Sequence, residues 1–85
     1  MKAVLCKQYG PPEALTLEDV PSVEPSEGEV IISVHSCAAN FPDTLIIEGK
    51  YQFKRPFPFV PGGEVAGTIK SVGVGVEGIA PGDRV

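Results

Sequence analysis

Between Val65 and Val72 the residues alternate: Val65, Gly67, Ile69 and Ser71 fall on one side of an extended chain, Ala66, Thr68, Lys70 and Val72 on the other. One side is small or apolar and the other carries the charge, which predicts a half-buried strand. The same two-residue period predicts strands over Met1–Lys7, where Ala3 and Leu5 stand between charged neighbours, and over Leu15–Val20. Tyr9-Gly10-Pro11-Pro12-Glu13 turns the chain between them, so residues 1–20 read as an antiparallel hairpin with an irregular loop. Val30–Ala39 has apolar residues on both sides of the pleat, which predicts a central strand.

At Asn40 the pattern changes. Asn40 and Phe41 followed by Pro42-Asp43 offer a cap, a proline suited to a first helical turn and an early acid, and Gly49 is a terminator. About two turns of helix are expected over Pro42–Glu48, with Leu45, Ile46 and Ile47 as its apolar face. Pro21–Glu29 is proline-spaced and acidic and reads as an extended connection turning at Gly28. Lys50–Val60 is aromatic and basic with Pro56 and Pro58, and reads as a loop. Phe53, Phe57 and Phe59 either cover the end of a barrel or line a cleft.

Ten glycines and nine prolines in 85 residues favour short strands and turns over long helices, in one small domain of residues 1–85. A net charge of −4 argues against a nucleic-acid partner, because phosphate neutralisation needs clustered cations and the nearest group is Lys50, Lys54 and Arg55. No window approaches the ~18 apolar residues of a membrane span, and Met1–Lys7 lacks the apolar core of a signal peptide, so a cytoplasmic location is expected with no membrane partner. Cys6 and Cys37 sit in apolar strand-like settings without metal-ligand spacing, and are expected as buried free thiols. His35 is the only histidine, and a Cys/His metal site would lack ligands.

Gly73-Val74-Gly75-Val76-Glu77-Gly78 matches G-x-G-x-x-G after a strand. A dinucleotide fingerprint needs a helix to begin at the loop, so that its free N–H groups meet the pyrophosphate. The next residues here, Ile79-Ala80-Pro81-Gly82-Asp83, stop such a helix, so a turn is expected instead.

Asn40-Phe41-Pro42-Asp43-Thr44, then Pro61-Gly62-Gly63-Glu64-Val65-Ala66-Gly67, then Val72-Gly73 and Gly82-Asp83-Arg84-Val85 form an ordered set of motifs spread along the chain. In these the chain resembles the N-terminal, GroES-like part of the medium-chain dehydrogenase/reductase superfamily, most closely its zinc-free quinone oxidoreductase (zeta-crystallin-like) branch. The resemblance implies a mainly β fold: a partial GroES-like barrel of antiparallel strands with one short helix, the family's Rossmann domain lying outside these residues. Zinc-dependent relatives carry a cysteine three residues before an Asp and a histidine within Gly-His-Glu; the matching positions here are Asn40 and Gly63, so no catalytic zinc and no metal are expected.

In the branch it resembles, the asparagine matching Asn40 lies at the substrate and cofactor cleft, and a tyrosine five residues later helps hold the cofactor. Here that position is Leu45, without a hydroxyl. Asn40, Leu45 and Gly63 are therefore the candidate cleft residues, with no catalytic residue assigned. The resemblance implies an NADPH-dependent reductase passing hydride to a quinone or other conjugated carbonyl, homodimeric at full length, with the 85 residues alone inactive. A zinc-free enoyl-thioester reductase and a non-catalytic GroES-like binding module remain as alternatives, as does a plain helix-capping role for Asn40.

Overall fold

The computed structural model describes all 85 residues. In chain order it contains β1 (Lys2–Leu5), a single turn of 3-10 helix (Pro12–Ala14), β2 (Thr16–Asp19), β3 (Val30–Cys37), α1 (Phe41–Ile47) and β4 (Val65–Val72). The architecture is mainly β, with two antiparallel pairs and one short helix, as expected. The chain divides into two compact units, one of Met1–Pro21 and Ala38–Gly63, the other of Ser22–Cys37 and Glu64–Val85.

The first unit is built on the hairpin. β1 and β2 pair in unbroken register from Lys2 opposite Asp19 to Leu5 opposite Thr16, and the chain's first ammonium group donates to the carbonyl of Val20 at 2.9 Å. Just past β1, Cys6 exchanges two backbone hydrogen bonds with Phe59, at 2.8 and 3.1 Å, which ties the 50–60 loop to the hairpin. Cys6, Phe59 and Ile47 of α1 form the buried core, with Leu15 and Ile46 against it. Asn40 caps α1 in extended conformation, and its backbone N–H donates to the Asp43 carboxylate at 2.8 Å. This binds an otherwise orphaned donor and places a negative charge at the positive end of the helix. Gly49 ends the helix with a φ of 74°, a left-handed turn that favours glycine.

The second unit is the β3–β4 pair. Its register is interrupted twice: Ile31 faces Ser71 but Ile32 faces Ile69, leaving Lys70 as an extra residue in β4, and Val34 faces Gly67 but Ser36 faces Ala66, leaving His35 extra in β3. Each is a bulge, and the second restores the offset that the first removed. The other edge of β4 is also taken. Gly67 and Val85 exchange hydrogen bonds at 3.0 and 2.9 Å, Ile69 receives from Gly82 at 2.8 Å, and Ile69 donates to Asp83 at 2.8 Å. The Gly67–Ile69–Ser71 side is the covered one, with Ile69 only 3% exposed, as the alternation predicts.

Within residues 1–85 β4 is the strand with partners on both edges, and β3, expected to be central, pairs with β4 on one edge. Apolar residues on both faces tell what a strand can cover, whereas the number of edge partners depends on which distant segments return. Cys37, expected to be buried, is exposed and only Cys6 is buried, both as free thiols. β3 is half-buried only over Val30, Ile31 and Ile32 and exposed from Ser33 onward, so Cys37 lies at the exposed end of the strand.

One carboxylate in the hairpin is perturbed. Hydrogen bonds from the Lys7 ammonium and then the Thr16 hydroxyl hold the Glu18 carboxyl below its ordinary value of 4.5. A depressed acid stabilises the fold above its unfolded-state pKa, and that contribution is lost as pH falls through the lower folded-state value. The Glu18 carboxyl carbon should accordingly titrate in an NMR experiment with a midpoint below 4.5, and Lys7→Met should move it back up. A wild-type midpoint at or above 4.5 contradicts the contact.

Candidate functional site

All three sequence-derived site residues lie in the first unit. Asn40 is exposed at the start of α1, Leu45 is half-buried one turn further along it, and Gly63 is exposed with nothing within 4 Å of where a Cβ would stand. Leu45 also accepts a hydrogen bond from the Lys50 N–H at 2.9 Å through its carbonyl, so its backbone is fixed by the end of the helix.

Beside them is an open hollow of about 440 Å³. Ile46 and Gly62, the sequence neighbours of Leu45 and Gly63, line it together with Tyr51, Phe53 and Phe59; Asn40, Leu45 and Gly63 themselves do not. The Cys6–Phe59 backbone pairing shapes it by pinning one end of the loop against the hairpin. The aromatic residues of that loop divide their work. Phe59 is 7% exposed in the core; Phe57 stacks on it at 5.8 Å between centroids and meets Tyr9 edge-on at 4.7 Å. Phe53 is 67% exposed and lies tilted 6.1 Å from Tyr51. Phe59 and Phe57 thus pack in and over the core of this unit, while Phe53 lines the hollow. Tyr51 escaped the sequence reading, although aromatic residues interleaved with Lys54 and Arg55 were a usable signal.

Asn40 and Gly63 bring neither thiolate nor imidazole, and nowhere do three or more His, Cys, Asp or Glu side chains gather into a ligand set. The Gly73–Gly78 stretch is a turn: Gly75 and Gly78 have φ of 85° and 81°, no helix succeeds it, and Gly73 donates to the carbonyl of Glu29 at 2.7 Å. The Gly73 N–H is thus committed to strand pairing, and the turn does not form the cradle that a pyrophosphate requires. No helix is long and apolar enough to cross a membrane.

Comparison with known proteins extends this picture. Residues 26–85 match the alcohol dehydrogenase GroES-like domain. Over 86 aligned residues the chain is 43% identical to quinone oxidoreductase of Rattus norvegicus, covering 100% of this chain and 26% of the rat protein. The structure of a mycobacterial quinone oxidoreductase superposes with a TM-score of 0.91 at 39% identity, over 99% of this chain and 26% of that one. Escherichia coli quinone oxidoreductase, solved in complex with NADPH, gives a TM-score of 0.87 at 32% identity over 99% and 26% of the two chains. The chain spans about a quarter of the length of the curated relatives it matches. With the strand order, the helix capped by Asn40 and the glycine-punctuated β4 all in place, the chain belongs to the alcohol dehydrogenase GroES-like domain family, as an N-terminal segment in the quinone oxidoreductase branch of the medium-chain dehydrogenase/reductase superfamily.

Proposed function

We propose that residues 1–85 are the N-terminal, GroES-like part of the catalytic domain of a zinc-independent oxidoreductase that reduces a quinone or another conjugated carbonyl with NADPH. The observation that carries this reading is the pairing of quinone oxidoreductase kinship with Asn40 and Gly63 at the two positions where zinc-dependent relatives place ligands. NADPH, when bound, supplies the hydride. This chain supplies no phosphate cradle, because the Gly73–Gly78 turn is tied into strand pairing through Gly73, so the cofactor's main anchor belongs to residues outside it and the 85 residues alone are inactive.

The chain's own contribution is one wall of an acceptor site. Asn40 presents an amide at a fixed helix end, suited to donating to an acceptor oxygen or to a carboxamide, while the Asp43 carboxylate engages its backbone and holds the turn. Leu45 replaces a hydroxyl contact with an apolar one. Hydride transfer to an electron-poor carbon proceeds without a metal when the pocket orients the acceptor and excludes water. A cytoplasmic homodimer completes the proposal. The test is to follow NADPH oxidation by the whole protein with 1,4-naphthoquinone, beside an elemental analysis after dialysis. Quinone-dependent oxidation without bound zinc is the expected result. About one zinc per chain would end the zinc-independent reading, and no turnover with any quinone or enone would end the assignment of activity.

A further inference from the structure

The loop that closes the hollow carries three cations, and they are not equivalent. Lys50 is neutralised by Glu48 at 3.2 Å. Lys54 and Arg55 both line the hollow and neither has a carboxylate partner; no carboxylate lines it at all. In a chain with a net charge of −4, this is a local reversal of sign. Lys54 is also held in place: its ammonium donates to the carbonyl of Gly49 and stands 5.6 Å from the centre of the Tyr9 ring. That leaves further ammonium protons for a ligand. Arg55 keeps its whole guanidinium fork, a group whose geometry matches a carboxylate or phosphate. Around the two cations Tyr51 and the exposed Phe53 provide apolar surface above the buried Phe59, in an open hollow of about 440 Å³.

We infer that the hollow selects planar acceptors bearing an anionic substituent, with Arg55 as its specificity-determining residue and Lys54 in support. The inference rests on the proposed reduction of conjugated carbonyls and names the substrate class within it. The acceptor's carbonyl stays at the Asn40 wall, and its substituted end reaches the adjoining hollow, where Tyr51 and Phe53 flank it and the cations meet the carboxylate. Because Arg55 is exposed, the preference is strongest at low ionic strength and fades as salt is added.

The experiment compares, in the whole protein, a 1,4-naphthoquinone bearing a carboxylate on its second ring with the methyl ester of the same compound. The acid should have the lower KM, and this advantage should shrink with added salt. Arg55→Gln should reduce kcat/KM for the acid about tenfold and for the ester less than twofold, and Arg55→Lys should recover part of the loss. A binding measurement separates this inference from the activity it rests on: naphthalene-2-carboxylate and its methyl ester are titrated calorimetrically into the wild type and Arg55→Gln. If neither quinone is turned over but naphthalene-2-carboxylate still binds in an Arg55-dependent way, the activity falls and the anion subsite stands. Equal treatment of acid and ester by the wild type, an Arg55→Gln variant that leaves their ratio unchanged, or no binding of naphthalene-2-carboxylate overturns the subsite.

Discussion

Gly67→Ala is expected to destabilise the β3–β4 unit by about 3 kcal/mol or more, at or beyond the upper end for overpacking a tight site. A Cβ at this position would stand 2.1 Å from the backbone carbonyl oxygen of Ser33 and 3.0 Å from the Ile32 side chain. The first of these atoms is backbone and cannot rotate away. Relief requires β3 to move off β4 by roughly an ångström, the gap between 2.1 Å and an ordinary contact, which breaks the ladder on one edge while Gly67 is still bound to Val85 on the other. The glycine is needed for close approach of two strands, not for a left-handed turn. Urea unfolding of the protein should show the loss, with Gly63→Ala as the control, since a methyl group there meets nothing within 4 Å and surface changes usually stay within about 0.5 kcal/mol. Equal midpoints for the two variants would refute the packing role of Gly67.

The same strand shows what could be read in advance. Alternation from Val65 to Val72 gave β4 its bounds and its covered side, because period-two burial is written in the residues themselves. The hairpin was legible for the same reason, and α1 lies one residue earlier than the expected Pro42–Glu48, the usual uncertainty at a helix end. The two bulges left no such mark. Lys70 and His35 are ordinary strand residues by composition, and only the register reveals them as insertions. Nor does composition mark the exposure of β3 from Ser33 onward, which leaves Cys37 uncovered despite its apolar setting.

The candidate site divides along the same line. Asn40 was legible as a cap because Pro42 and Asp43 stand at capping distance, and the absence of zinc-ligand side chains at Asn40 and Gly63 needed only the residue identities. The hollow was not legible. It exists because Phe59 pairs with Cys6, a contact between segments far apart in the chain that no local period announces. The positive charge of its wall likewise depends on Lys54 and Arg55 lining it without a carboxylate partner.

Gly73→Ala distinguishes two meanings of one motif. As the first glycine of a phosphate-binding loop, Gly73 would affect the affinity for NADPH and leave stability nearly untouched. As a packing position it would do the reverse. A Cβ on Gly73 would lie 2.0 Å from the carbonyl oxygen of Ser26 and 2.9 Å from that of Glu29, both backbone atoms, at the point where Gly73 itself donates to Glu29 at 2.7 Å. Val74 accepts from the Gly28 N–H at 2.9 Å in the adjoining step, so the two turns are joined by hydrogen bonds as well as by contact. Gly73→Ala should therefore destabilise by about 3 kcal/mol. Gly75→Ala and Gly78→Ala meet no atom within 4 Å and should lose only the roughly 1–2 kcal/mol of a left-handed non-glycine residue. In the whole protein, assayed well below the unfolding temperature of each variant, the KM for NADPH should stay within about twofold of wild type for all three. A Gly73→Ala protein with wild-type stability and a tenfold higher KM for NADPH would restore the phosphate role that the turn geometry denies.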